Sequence, residues 1–365
     1  MRRNYESSDS TIDFIERQNA RERRPKAAAL ASILSSMRPK ISDFHELHYY
    51  SPSDIIDDSS HAQKLRRKYA AESLNQQGQP FHAKALEALM SHSIATGQWL
   101  SGTNEDGQRY TAESIYTTDY DDMINRVDSA ATVRTMEDTD LDGENPIEPH
   151  PVKITFGIDL TVNTDLDVIK QKITTATNDS SAHLPTGFTQ IKYYQDKSGN
   201  QKKLTNVPRY VIGINDASID NILDNVVIEN GNINIQNGYA AIDLANKYKI
   251  LREIRLQNEY YSNLLLDKDA EERTMVERIA LHQVELLDGV YGKELSAIEK
   301  RLNKKRNDLD TQYRATDTTF DSILRTVYTL KSQHDTEIES AQLKNIGKTF
   351  LSQADLNGTT PPPTN

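Results

Sequence analysis

Between Val152 and Val162 the chain alternates without a slip. Val152, Ile154, Phe156, Ile158, Leu160 and Val162 fall on one side, and Lys153, Thr155, Gly157, Asp159 and Thr161 on the other. A period of two marks an extended strand with one buried face, and it restricts the fold more than any other stretch. Such a strand needs a core against its apolar side. Its polar side presents Asp159 with Thr161 two residues on, and a lysine-bearing helix follows directly.

The surrounding sequence builds a domain around that strand. Asp128 to Met136 reads as a neighbouring strand, joined to it by an acidic connection that carries Gly143 and Pro146. Thr164 is placed to cap a helix through Ile173, with Asp165 and Asp167 in the first turn where the helix dipole favours them. Phe188 to Tyr194 and Tyr210 to Ile214 are further strands linked by a turn at 196–200, and Ser218 to Val227 is a short helix. Alternating strand and helix signals over 105–266 predict an α/β domain.

The flanks read as helical. Residues 1–60 form a basic, partly helical or frayed arm, in which Pro25 stands where a helix could begin and 41–60 reads as a polar loop. A helical lead-in covers 61–104, with helices near 61–75 and 80–100 and Trp99 as a packing anchor. After a long helix from Ala240 to Leu266, the segment 267–352 carries Leu295, Leu302 and Leu309 at spacings of seven, then Tyr313, Phe320 and Val327. That pattern predicts a coiled coil or a helical hairpin. Residues 353–365, ending in a run of prolines, read as a disordered tail.

Composition excludes several classes. Only 36% of the residues are hydrophobic, with a mean hydropathy of -0.69, so part of the chain is expected to be elongated or disordered. The absence of cysteine removes disulfides, thiolate metal sites and a cysteine nucleophile, and it suits a cytoplasmic location. No apolar run is long enough to span a membrane. The net charge of -11 argues against whole-molecule attraction to nucleic acid, yet residues 1–40 hold nine Arg or Lys against five Asp or Glu. Any nucleic-acid contact is expected to be local.

One constellation carries catalytic chemistry: Glu113, Asp128 and Asp159 on a helix-to-strand approach and two successive strands, with Lys170 and Lys172 on the helix that follows. Carboxylates from adjacent strands can hold one or two Mg²⁺, and a nearby lysine can orient water or stabilise charge on a phosphodiester. In this arrangement the chain resembles the PD-(D/E)xK nuclease-like fold, the restriction-endonuclease superfamily, over about residues 85–260. Asp128 in Arg-Val-Asp-Ser matches that family's first acidic strand position and Asp159 in Gly-Ile-Asp-Leu-Thr the second. Glu113 matches the glutamate some members supply from the preceding helix. Thr161 stands where the family's lysine belongs, and Lys172 matches members whose lysine has moved to the next helix. The same segments look like a group of uncharacterised bacterial proteins with this fold.

The resemblance implies a restriction-endonuclease-like mixed sheet flanked by helices, with a helical N-terminal part and a long C-terminal helical or coiled-coil extension. It also implies Mg²⁺ held by Glu113, Asp128 and Asp159, and phosphodiester hydrolysis in DNA or RNA assisted by Lys172. Tyr120, Tyr193 and Tyr194 are candidates for base stacking or for sheet packing. The competing expectation is a non-catalytic interaction protein that uses its C-terminal helices to bind itself or a partner. His45-Glu46-Leu47-His48 is one residue short of a zinc-protease spacing. Asp138, Asp140, Asp142 and Gly143 imitate a calcium loop, but Pro149 replaces its final glutamate, so an acidic strand connection is expected.

Overall fold

The computed structural model describes residues 7–44, 51–73, 79–95, 101–103, 109–139, 145–175, 184–195, 199–229, 232–235 and 243–356. Trp99, the His45 to His48 segment, residues 140–144 of the calcium-like loop and the proline-rich tail lie outside the described residues.

Helices α1 (Ser7–Met37), α2 (Pro52–Ser73) and α3 (Gln79–Ala95) come first, with a short 3-10 turn at Ile41–Phe44. The N-terminal segment is thus more helical than expected, and Pro25 lies inside α1 rather than at its start. Contacts on both sides of Pro25 hold the helix together there. Arg23 pairs with Asp220 at 2.8 Å and Asp224 at 2.6 Å, while Leu30 and Leu34 are buried. Part of the expected loop at 41–60 is the start of α2. Ser51 Oγ accepts from the Asp54 N–H, and the Asp54 carboxylate accepts from the Ser51 N–H. With Pro52 at the first helical position, this is a reciprocal cap.

Strands β1 (Ser101–Thr103) and β2 (Arg109–Ile115), the short helix α4 (Asp119–Met123), then β3 (Ser129–Thr139) and β4 (Pro146–Thr161) follow. After helix α5 (Leu166–Thr174) come β5 (Phe188–Gln195) and β6 (Gln201–Gly213). They form one mixed sheet in the order β1-β2-β3-β4-β6-β5. Strands β2, β3 and β4 are an antiparallel meander, and β6 runs parallel to β4 across the α5 connection. Helix α6 (Asp216–Asn225) and the hairpin of β7 (Val226–Glu229) with β8 (Asn232–Ile235) complete this part.

The apolar side of β4 packs as its alternation predicts, but the polar side is covered too from Gly157 to Thr161, so the strand is half-buried only in its first part. Ile154, Phe156, Ile158 and Leu160 are buried in the main core with Leu86, Leu89 and Met90 of α3 and with Ala131 and Val133 of β3. Phe156 also meets Tyr210 and Tyr291 edge-on, at 5.8 and 6.0 Å between ring centres.

Helix α7 (Leu244–Leu266) solves the problem of an open sheet edge. Strand β5 stops pairing with β6 at Pro208, which would leave the next β6 peptide groups bare. The Gln257 amide accepts from the Val211 N–H at 2.9 Å and donates to the Val211 carbonyl at 2.7 Å. Glu253 accepts from the Gly213 N–H, and the Tyr261 hydroxyl donates to the Arg209 carbonyl. One helix therefore supplies, through side chains, the pairing a missing strand would have given.

Helices α8 (Met275–Leu302), α9 (Arg306–Thr316) and α10 (Thr318–Leu356) end the chain. Their seam at spacings of seven is spent within the chain: Leu295, Leu309, Phe320, Ile323, Val327 and Leu330 belong to the same core as the sheet. Polar seam residues find partners nearby, Arg306 on Glu299 at 2.8 Å and His334 on Asp267 at 2.5 Å. Helix α10 lies so close on β6 that a Cβ at Gly213 would come within 2.5 Å of Thr319.

Candidate functional site

The polar end of β4 gathers three of the four sequence-predicted residues around Leu160. Asp128 immediately precedes β3, where its N–H donates to the Ile158 carbonyl at 2.9 Å. Its carboxylate accepts from the Leu160 N–H at 2.7 Å, so it extends the strand ladder by one side-chain rung. From the other side, Lys172 Nζ donates to the Leu160 carbonyl at 3.2 Å and to Asp159 at 2.5 Å. Helix α5 can deliver that amine because Asp165 caps it, accepting from the N–H groups of Asp167 and Val168. The cap is one residue later than the expected Thr164. Lys170 points elsewhere, to Gln333 at 3.4 Å. Thr161, in the place of the family lysine, accepts from the Asn163 N–H as the strand ends.

Behind this cluster lies Arg209 of β6, 1% exposed. One of its terminal nitrogens donates to the carbonyls of Lys172 and Thr175 at 2.5 and 2.7 Å, satisfying the last turn of α5. The other lies 3.9 Å from Asp159. Arg209 Nε and Nη1 and Asp159 Oδ2 have no hydrogen-bond partner among the described residues. The parallel register sets this neighbourhood, placing Arg209 opposite Gly157 and Val211 opposite Asp159.

Asp128 also belongs to a second group. Donor oxygens of Glu87 on α3, Asp122 on α4 and Asp128 all lie within 4.8 Å of one another. Carboxylates that close suit a hard divalent cation. Arg38, just beyond α1, reaches into the same group: it bonds Glu87, Asp122 at 2.6 Å, and the backbone carbonyl of Asp128 at 3.1 Å. Burial pulls the Arg38 pKa down, but Asp122 and Glu87 outweigh it and hold the guanidinium above its ordinary value.

Glu113 is not brought to this end of the sheet. It lies on β2 opposite Thr132, which pairs with Thr155, four residues along β4 from Asp159. Its ion pair is with Arg134 at 3.4 Å. Tyr120, Tyr193 and Tyr194 are buried, so these rings pack the fold rather than offer faces for bases. Tyr193 meets Phe44 and Tyr120 edge-on at 5.3 and 5.6 Å.

Glu87, Asp122, Arg38 and Arg209 escaped sequence reasoning. Two of them had a signal: Glu87 is a lone acid in the apolar run Ala85 to Met90, and Arg209 interrupts the apolar strand from Val207 to Ile212. Asp121, beside Asp122, is wholly buried and accepts from the N–H groups of Lys192 and Tyr193. Burial raises its pKa against the pull of these bonds. It ties α4, and with it Asp122, to β5. No family model, curated protein or solved structure matches this chain.

Proposed function

We propose that the chain is a metal-dependent phosphodiester hydrolase acting on DNA or RNA, with a restriction-endonuclease-like core. The observation that carries this reading is the convergence on Leu160, whose N–H is held by Asp128 and whose carbonyl is held by Lys172, itself bonded to Asp159. An acid before one strand, an acid within the next and a lysine from the following helix are the groups that the PD-(D/E)xK resemblance requires. The antiparallel meander, followed by a helix and a hairpin whose second strand, β6, runs parallel to β4, supports it.

In this reading Glu87 and Asp122 take the place first given to Glu113, and with Asp128 they hold the ion. The donor set fits Mg²⁺, which when bound neutralises charge on the phosphodiester and acidifies water. Lys172 bonds Asp159 and holds it toward the site, and its ammonium places positive charge beside it. Arg209 fixes the α5 carbonyls so that Lys172 stays in register with Asp159.

A second reading rests on Arg38. Its guanidinium already neutralises Glu87 and Asp122, as it would in a nuclease scaffold retained for binding rather than cleavage. The C-terminal helices lend that reading little support, because their described apolar seam is already covered. Labelled single- and double-stranded DNA and RNA, incubated with Mg²⁺, separate the two. Cleavage that falls on the order of 100-fold or more in Asp159→Asn and in Lys172→Ala supports hydrolysis. No cleavage by the wild type, or an undiminished rate in Asp159→Asn, removes it.

A further inference from the structure

On the same polar face, away from Asp159, a cavity of about 300 Å³ opens among the curled strands. Its lining includes Arg134 of β3, Lys153 of β4 and Lys202 of β6, with Glu113 as the one acid among the described residues. In the antiparallel register Arg134 stands directly opposite Lys153. Like charges in that position repel and cost stability. Glu113 relieves the pair only partly, from 3.4 Å on the Arg134 side. Lys202 adds a third positive charge, its ammonium held 5.2 Å over the Tyr194 ring. Arg134, Lys153 and Lys202 are all exposed, so water screens their repulsion, and the positive charge left at the cavity favours an anion.

The rest of the lining is polar. Thr132 and Thr155 share a hydroxyl bond at 2.7 Å. Ser114 Oγ and Gln283 Oε1, both at the cavity, have no hydrogen-bond partner among the described residues. The volume is at the lower end for small-ligand sites, on the scale of a mononucleotide.

We propose that this cavity binds a phosphate monoester of mononucleotide size, its phosphate between Arg134, Lys153 and Lys202. Arginine's planar fork matches phosphate oxygens, and lysine adds point charge. This site is separate from the Asp159 cluster. Thr155 and Asp159 are four strand residues apart, about 13 Å, and Val127 packs over Gly157 between them.

Calorimetric titration of the full chain in metal-free buffer, with AMP, inorganic phosphate and adenosine in separate runs, tests the proposal without reference to cleavage. AMP is expected to bind more tightly than either fragment. Lys153→Thr should weaken AMP binding about tenfold or more. The same substitution removes the Arg134 repulsion, so without ligand its urea midpoint should equal or exceed that of the wild type. Absence of AMP binding, equal affinity for AMP and inorganic phosphate, unchanged binding in Lys153→Thr, or a lowered midpoint in that variant would overturn it.

Discussion

Replacing Arg209 by methionine tests the part of the site that the fold protects most. Methionine keeps much of the stem volume and deletes the guanidinium, which is 1% exposed. The change removes the two bonds to the Lys172 and Thr175 carbonyls and the ion pair with Asp159. Breaking one partner out of a buried ion pair costs about 3–5 kcal/mol. Two features reduce that here. Asp159 keeps Lys172 at 2.5 Å, and two nitrogens without hydrogen-bond partners vanish with the guanidinium. The expected net loss is therefore about 2–3 kcal/mol. Urea unfolding followed by circular dichroism measures it, with an unchanged denaturant slope as the sign that only stability has moved. Asp159→Asn should cost less in the Arg209→Met background than in the wild type, by about 1 kcal/mol or more. A loss below about 1 kcal/mol for Arg209→Met, or the same Asp159→Asn cost in both backgrounds, would refute the coupling.

Arg38→Ala leaves buried Glu87 and half-buried Asp122 without that guanidinium, so it should destabilise the metal-free protein by about 2–4 kcal/mol. Thermal unfolding should then recover more with millimolar Mg²⁺ in the variant than in the wild type; equal shifts would contradict that. Burial holds the Glu253 carboxyl protonated well above the ordinary value of 4.5, despite the bond from the Gly213 N–H. The unfolded chain releases this proton first, so its contribution falls as pH rises above 4.5. Glu253→Gln removes that slope, and its advantage in urea midpoint over the wild type should grow from about pH 5 to about pH 8. Gly187 has φ of 83°, and a Cβ there would come within 2.3 Å of the Tyr261 ring. Gly187→Ala should cost more than about 2 kcal/mol in the same assay.

The strand at the centre of the fold was legible because its sequence alternates with a period of two, although the structure covers both of its faces from Phe156 to Thr161. Asp159 and Lys172 were legible for a related reason. The strand's polar face and a capped helix following it constrain where both side chains can go. Glu113 was misjudged because its stretch read as a helix-to-strand approach; it lies within β2, where the register with Thr132 carries it along the sheet away from Asp159. Glu87 and Arg38 meet only through the packing of α1 against α3, a long-range pairing that leaves no local periodic trace. The seven-residue seam gave its buried positions correctly but not their partner, since an apolar stripe does not say what covers it. Here the cover is α7 and the sheet. The cap at Ser51-Pro52-Ser53-Asp54 was readable and passed over, with the polar residues around it taken for a loop.

The proposed hydrolase needs a divalent cation held by Glu87, Asp122 and Asp128 beside the Asp159 and Lys172 pair. Isothermal calorimetry of Mg²⁺ into the full chain, beside a Glu87→Gln, Asp128→Asn double variant, tests it most directly. The account predicts sub-millimolar binding by the wild type that disappears in the variant, while urea unfolding shows the variant still folded. Identical null traces for both proteins, with or without an oligonucleotide present, would contradict it and leave Arg38 as the cation that these carboxylates serve.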